Sequence, residues 1–104
     1  MNKYNPDFTT ISTELYEKIK AATERLDCKP IFVCRASNHP EDDYLWVVLG
    51  QYTKPNPFGE YCVWTANTSR SERADLFYGH YGLSIKVALD VVADKVRDIN
   101  KEEC

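Results

Sequence analysis

Two segments of the chain repeat apolar residues at the period of an amphipathic helix. In the first, apolar residues recur every three or four positions from Ile11 to Leu26, and charged residues lie between them. The second runs from Ile85 to Ile99 with the same spacing, directly after a serine that can cap a helix N-terminus. Because residues three and four apart share one face of a helix, this pattern predicts a helix over 10–27 and another that follows the serine.

Between the helices, four mainly apolar segments predict strands. They cover residues 31–36, 44–52, 61–66 and 76–81, and stretches rich in polar residues or proline separate them. Segment 44–52 is apolar at nearly every position, which is typical of a central strand covered on both faces. Short connections favour antiparallel neighbours. The expected fold is therefore α+β, in the order α-β-β-β-β-α: a two-layer sandwich in which a four-stranded antiparallel meander carries the N-terminal and the C-terminal helix on one face.

Length and composition predict one globular domain. The chain has 104 residues, of which 43% are hydrophobic and 28% are charged, and we expect a single domain over 1–104 with a flexible segment at 1–9 and a frayed tail at 100–104. No apolar run approaches the roughly 18 residues of a membrane span, and residues 1–8 lack the apolar core of a signal peptide. We therefore expect a cytoplasmic protein without a membrane partner.

Charge and cysteine spacing argue against several kinds of ligand. Residues 1–27, 28–82 and 83–104 each contain one more acidic than basic residue, so no basic surface for nucleic acid is expected. The four cysteines form no CxxC pair, and no histidine lies at ligand spacing from any of them. We therefore expect neither a metal site nor another cofactor, and without a secretory segment the even cysteine count does not predict disulfides.

Alternation along the strands divides their side chains between two faces. One set mixes small and large residues, as helix packing requires: Phe32, Cys34, Ala36, Cys62, Trp64, Ala66, Phe77, Gly79 and Tyr81. The other set is more than half apolar or aromatic, although a water-facing sheet is mostly polar: Ile31, Val33, Arg35, Tyr61, Val63, Thr65, Leu76, Tyr78 and His80. Since two helices on one face leave the other uncovered, we expect this second face to be an association surface.

The predicted binding residues follow from that uncovered face. On the sheet they are Arg35, Tyr61, Val63, Thr65, Tyr78 and His80, and beside the proline-rich loop they are Tyr52 and Phe58. The expected function is a small non-enzymatic module that binds a protein partner, a second copy of itself or both. The alternative structure is that the amino-terminal segment or the proline-rich loop folds across this face.

No catalytic motif is present in the sequence. His80, within Gly79-His80-Tyr81-Gly82, has no partner that a motif identifies, and glycine-rich phosphate loops, HExxH and GxSxG are absent. These observations favour a non-enzymatic protein. The alternative function is a small-molecule-binding protein or enzyme with a pocket between helices and sheet near His80 and Trp64.

One region resembles a known kind of protein. A strand with Trp64 and Asn67 is followed by a hairpin, the triplet Gly79-His80-Tyr81 and a helix that contains Ala88. This succession resembles small uncharacterised proteins of bacteria, their phages and mobile elements. The resemblance implies a strand–hairpin–helix unit without catalytic residues, and a role as an inhibitor or accessory factor in phage–host conflict.

The order helix, strands, helix is also similar to that of double-stranded RNA-binding domains. Those domains place a basic cluster at the start of the last helix to hold phosphates. This helix offers only Lys86 at that place, so the sequence does not favour RNA binding.

Overall fold

A computed structural model of the chain describes residues 11–69 and 73–100. The helices and strands in chain order are α1 (Thr13–Glu24), β1 (Cys28–Arg35), β2 (Leu45–Tyr52), β3 (Tyr61–Asn67), β4 (Asp75–Leu83) and α2 (Ile85–Asn100), and a 3-10 turn lies at Pro40–Asp42. The four strands form one open antiparallel sheet in the order β1-β2-β3-β4. The predicted α+β meander and its order α-β-β-β-β-α are confirmed.

The two helices cover opposite faces of this sheet. Ile19 of α1 packs in one buried cluster with Trp46 and Trp64, whereas Ala88 of α2 packs in another with Val47 and with apolar neighbours of β3. Successive residues of a strand point to opposite faces, so adjacent residues of β2 contact different helices. The expectation that both helices lie on one face is wrong, and the fold has three layers: helix, sheet, helix.

The central strands explain why both faces need cover. All residues of β2 between its first and its last two are buried, and β3 is buried in the same way. The apolar run at 44–52 predicted cover on both faces, and that prediction is confirmed. One helix cannot shield two faces of a strand, and each face therefore takes one helix.

The predicted division of side chains between faces is wrong for part of the sheet. Cys34 pairs with Val47, which pairs with Thr65, so these three residues share the α2 face. The prediction had placed Cys34 with Cys62, which lies on the α1 face. Alternation fixes the faces within one strand, but the pairing register sets the phase between strands, and the register changes at irregularities in β1 and β4.

The helix boundaries are set by local hydrogen bonds. The amide of Leu15 donates to the Ser12 hydroxyl at 3.3 Å, so α1 begins later than the predicted residue 10. The predicted cap of α2 is confirmed, because the amide of Val87 donates to the Ser84 hydroxyl at 3.3 Å. Asn100, expected in a frayed tail, instead ends α2, is 7% exposed and donates to the Ala36 carbonyl. The predicted flexible segment at 1–9 and residues 101–104 of the predicted tail lie outside the described residues.

Candidate functional site

The sheet face that was predicted to bind a partner is covered by α2. Val63 is 0% exposed and Thr65 is 3% exposed, and half-buried Tyr61 packs against the cluster beneath α2. Arg35 lies on the other face of the sheet, because it pairs with Trp46 of the α1-side cluster, and its Nη2 donates to the His39 carbonyl at 3.0 Å. The expected open face is therefore absent from the described fold, and its predicted binding residues do not form one surface.

The two predicted residues beside the proline-rich loop differ in their exposure to solvent. Phe58 is 84% exposed, as the sequence predicted. Tyr52 instead packs against the cluster that contains Trp64, and burial raises the pKa of its hydroxyl above the usual value. Of the two, Phe58 is the more exposed, and Tyr52 is half-buried.

Three of the predicted residues come together at a groove between α2 and the β4 edge of the sheet. The groove has a volume of about 520 Å³. Its apolar lining consists of Leu45, Phe77, Val91 and Ile99. Its polar lining consists of Thr65, Tyr78, His80, Asp94, Lys95 and Asp98. We call this site the α2–β4 groove.

A bulge in β4 shapes the rim of the α2–β4 groove. Val63 pairs with His80 and Thr65 pairs with Phe77, so two steps along β3 are matched by three along β4. Within this irregularity Tyr78 has a φ of 53°, in the left-handed region that is costly for a bulky residue. Its ring is 77% exposed and meets the Phe77 ring edge-on, with centroids 5.1 Å apart. The bulge thus holds an aromatic ring outward at the rim.

Lys95 joins α2 to this bulge. Its Nζ donates to the Tyr78 carbonyl at 2.7 Å, lies 3.5 Å from Thr65 Oγ1 and lies 5.8 Å from the centroid of the Tyr78 ring. Burial lowers the pKa of Lys95 because it disfavours the charged ammonium, and Asp98 partly offsets this effect. The bulge disturbs the strand pairing here, and Lys95 donates a hydrogen bond to the Tyr78 carbonyl at that point.

The two carboxylates of the α2–β4 groove have a different cation. Arg97 donates from Nη2 to Asp94 Oδ1 at 2.6 Å, and its Nε lies 4.0 Å from Asp98 Oδ1. Lys95 takes part in none of the ion pairs found within the described part of the chain. Arg97 therefore offsets only one of the two carboxylate charges. The described hydrogen-bond acceptors of Lys95 Nζ are neutral oxygens, and Asp98 acts on its charge at longer range.

The predicted pocket near both His80 and Trp64 does not form as expected, because these residues face opposite sides of the sheet. Trp64 lies in the α1-side cluster, where its Nε1 donates to the Tyr81 hydroxyl at 2.9 Å. The Tyr81 ring crosses Gly79, where a Cβ would lie 2.4 Å from the tyrosine oxygen. Gly79 and Tyr81 of the Gly79-His80-Tyr81 triplet thus have a structural role on one face, while His80 lines the groove on the other.

Two buried thiols lie on the other face of the sheet from this groove. Cys28 and Cys62 are both free, and their Sγ atoms are 3.4 Å apart in the α1-side cluster. Burial raises the pKa of each thiol above its usual value, more strongly for Cys62. Sequence analysis missed this contact because the register, which it could not supply, brings β1 and β3 side chains together.

Comparison with protein-family models, curated proteins and solved structures found no match. The resemblance to phage and mobile-element proteins therefore stays a prediction. Neither helix of the described chain has the length and apolarity needed to cross a membrane. Within residues 11–69 and 73–100, no three His, Cys, Asp or Glu side chains are grouped so that they could hold a metal ion.

Proposed function

We propose that this chain is a non-enzymatic binding protein of the cytoplasm, and that a protein partner inserts an apolar side chain into the α2–β4 groove. One observation carries the proposal: a groove with an apolar lining opens beside an edge strand whose bulge holds the Tyr78 ring at its rim. The surface differs from the predicted one, but it retains Thr65, Tyr78 and His80. The three cysteines within the described residues are buried and free, which favours the reducing cytoplasm as its location.

The apolar part of the groove offers the kind of contact found at the centres of protein interfaces. Leu45, Phe77 and Val91 offer apolar contact, and the volume of about 520 Å³ is large enough for one bulky side chain with part of its backbone. Exposed tyrosine is enriched among residues that dominate binding energy, because its ring gives a large contact area with little loss of side-chain entropy. An inhibitor or accessory factor, as the phage resemblance implies, requires this kind of contact.

A selection from a displayed peptide library tests the proposal. The wild-type chain and Val91→Trp are presented in parallel, because the larger ring fills the groove from its α2 wall. Ala93→Trp is the matched control, since Ala93 is exposed and lies outside the groove lining. We expect peptides with an apolar anchor to be enriched by the wild type and by Ala93→Trp but not by Val91→Trp. Equal enrichment by all three proteins, or no enrichment by the wild type, contradicts the proposal.

A small molecule is the second candidate occupant, and the size of the groove favours it. Pockets that hold small ligands have volumes of about 300–1,000 Å³, a range that includes this groove. A metabolite panel tests it by thermal unfolding, because a ligand of the folded state raises the melting temperature. A rise seen for the wild type and Ala93→Trp, and lost in Val91→Trp, supports this candidate. The absence of any rise across the panel argues against it.

A further inference from the structure

We infer that two copies of this chain associate through α2, with the two helices antiparallel about a two-fold axis at the level of Ala88. The contact lies on the flank of α2 opposite the α2–β4 groove, so the inference does not depend on the proposed function. It is carried by an exposed apolar surface, by two charges beside that surface and by the symmetry that places these charges opposite each other.

The apolar stripe of α2 is wider than the sheet covers. Ala88 and Val92 pack in the buried cluster beneath the helix. The α2 residues that line the α2–β4 groove lie on one flank of this contact, whereas Ile85 and Leu89, one helical turn apart, lie on the other. Ile85 is 44% exposed and Leu89 is 51% exposed. We call this side of α2 the β1-side flank.

Edge strand β1 extends the apolar surface of this flank. Phe32 pairs with Leu49, which is buried beneath α2, so the Phe32 side chain lies on the α2 face of the sheet. It is 38% exposed. Since β1 and β4 are the two edges of the sheet, the flank of α2 that faces away from β4 faces β1. Ile85, Leu89 and Phe32 thus lie on one side of the helix, and grouped exposed apolar residues are typical of an association surface.

A lysine and an aspartate lie on the solvent side of the β1-side flank. Lys86 and Asp90 are exposed and one helical turn apart, yet neither takes part in the ion pairs found in the described part of the chain. A lysine that precedes an acidic residue by four positions is the weaker orientation for a pair within one helix. Both charges are therefore available to a second copy of the chain.

A two-fold axis at the level of Ala88 makes these charges complementary. Lys86 precedes this position by two residues and Asp90 follows it by two, so in an antiparallel pair each Lys86 lies opposite Asp90 of the other copy. The same axis places each Leu89 between Ile85 and Leu89 of the other helix. A parallel pair would instead set Lys86 against Lys86. Antiparallel symmetry thus gives two ion pairs and a continuous apolar contact.

Charge reversals on the full chain test the inference. Its mass is measured by sedimentation equilibrium between about 5 and 500 µM, the range in which a small interface associates. We expect the wild type to change from monomer to dimer over this range. Lys86→Asp and Asp90→Lys are each expected to weaken the dimer at least about tenfold, because each creates two like-charge pairs. An equimolar mixture of these two variants is expected to regain the wild-type affinity, since both pairs in the mixed dimer are again of opposite sign.

Leu89→Arg tests the apolar contact, and Val87→Arg is its matched control. Val87 is 46% exposed but lies on the groove side of α2, one turn before Val91. Leu89→Arg is expected to weaken the dimer at least about thirtyfold, because the residue occurs twice at the centre of the contact. Val87→Arg is expected to leave the affinity unchanged.

Three results would overturn the inference. The first is a wild-type chain that stays monomeric at about 500 µM, a concentration at which even a weak interface associates. The second is a mixture of the two charge variants that associates no better than either variant alone. The third is a dimer that Leu89→Arg leaves intact, which would assign association to another surface. None of these results bears on the peptide selection, because the α2–β4 groove lies on the opposite flank of α2.

Discussion

The two faces of the sheet are closed to different degrees. Under α1, Trp46 and Trp64 fill the space between helix and sheet, and both are almost completely buried. Under α2, the buried cluster has no aromatic side chain among its described members and consists of residues no larger than Leu49. Large rings fill the centre of the first face, and a cavity of about 380 Å³ lies at its margin beside Ala22, Leu26 and Leu76. The second face leaves a groove of about 520 Å³ beside β4. Both faces therefore have accessible space, and the α2–β4 groove is the larger of these two cavities.

The two faces also differ in whether their polar groups are buried in the fold or lie where a ligand can reach them. On the α1 face, the Trp64 indole has an intramolecular acceptor in Tyr81, and the paired thiols are buried. On the α2 face, Lys95 lies at the border of the groove with neutral acceptors. We expect substitutions on the first face to act mainly on stability, and substitutions around the groove to act mainly on binding.

The largest effect is expected for Val63→Glu, which tests whether α2 covers its face. Val63 is 0% exposed, so a carboxylate there is buried without a partner and costs at least about 4 kcal/mol, a large part of the stability of a small domain. Tyr78→Glu on the same side of the sheet is the control, because its side chain is 77% exposed. Urea denaturation followed by circular dichroism compares them, and a folded Val63→Glu protein contradicts the cover by α2.

Trp64→Ala is expected to show the contribution of the aromatic packing under α1. Removing a fully buried tryptophan lowers the free energy of unfolding by about 3–5 kcal/mol, and it also leaves Tyr81 without its hydrogen-bond donor. Val47→Ala on the other face removes a smaller buried side chain and is expected to cost about 1–3 kcal/mol. Equal losses in urea denaturation would show that the two faces do not differ in this way.

Gly79→Ala is expected to disturb side-chain packing on the α1 face, because Gly79 of edge strand β4 lies against the Tyr81 ring. A Cβ at this position would lie 2.4 Å from the Tyr81 oxygen, so the ring must move away from Trp64. We expect a loss of about 1–3 kcal/mol, typical of overpacking, and a change in tryptophan fluorescence. In the background Tyr81→Ala the same substitution is expected to cost much less, because the obstructing ring is absent. An unchanged cost there would exclude the ring as the cause.

The order of elements could be predicted from the sequence, but the phase between strands could not. The periods of the two helices and the apolar run at 44–52 gave the elements, and that run also carried the signal for cover on both faces. Applied consistently, this signal would have placed the helices on opposite faces. The contact between Cys28 and Cys62 and the bulge at Tyr78 depend on register, which short-range alternation does not determine.

The candidate site was predicted only in part for the same reason. Thr65, Tyr78 and His80 were assigned to one face, and all three line the α2–β4 groove. Lys95 falls on the polar side of the helical period in residues 85–99, and that pattern does not mark it as a site residue. Its role depends on a carbonyl that a bulge makes available, and no sequence period indicates such a bulge.

The two faces are also expected to respond to pH in opposite directions. Because folding raises the pKa values of Cys28 and Cys62, the unfolded chain loses these thiol protons at a lower pH than the folded chain does. The contribution of the two thiols to the free energy of unfolding is therefore complete below about pH 8.5 and is lost as pH rises. The slope is at most about 1.4 kcal/mol per pH unit for each thiol. The lowered pKa of Lys95 acts oppositely, so stability increases with pH between that pKa and the usual value of about 10.4.

Urea denaturation between pH 7 and pH 10 separates these contributions. In Cys62→Ala the loss of stability at alkaline pH is expected to be smaller than in the wild type. In Lys95→Met it is expected to be larger, because the opposing contribution has been removed. If Cys62→Ala showed the same dependence of stability on pH as the wild type, that result would contradict the burial of the Cys62 thiol.

The smallest effect on stability is expected at the rim of the groove. Tyr78→Gly removes the cost of a left-handed backbone at a bulky residue, about 1–3 kcal/mol, but loses the contact with the Phe77 ring and adds freedom to the unfolded chain. These contributions are of similar size and opposite sign, so the free energy of unfolding is expected to change by less than about 1 kcal/mol. Tyr78→Val, which has a β-branched side chain and no ring, is expected to be clearly less stable than Tyr78→Gly.

Peptides selected by the wild type are nevertheless expected to lose at least about fivefold in affinity for Tyr78→Gly, as loss of an interface tyrosine gives. Unchanged peptide affinity in this stable variant would show that the exposed ring takes no part in binding, and the strained backbone at the bulge would then serve only to present a carbonyl to Lys95.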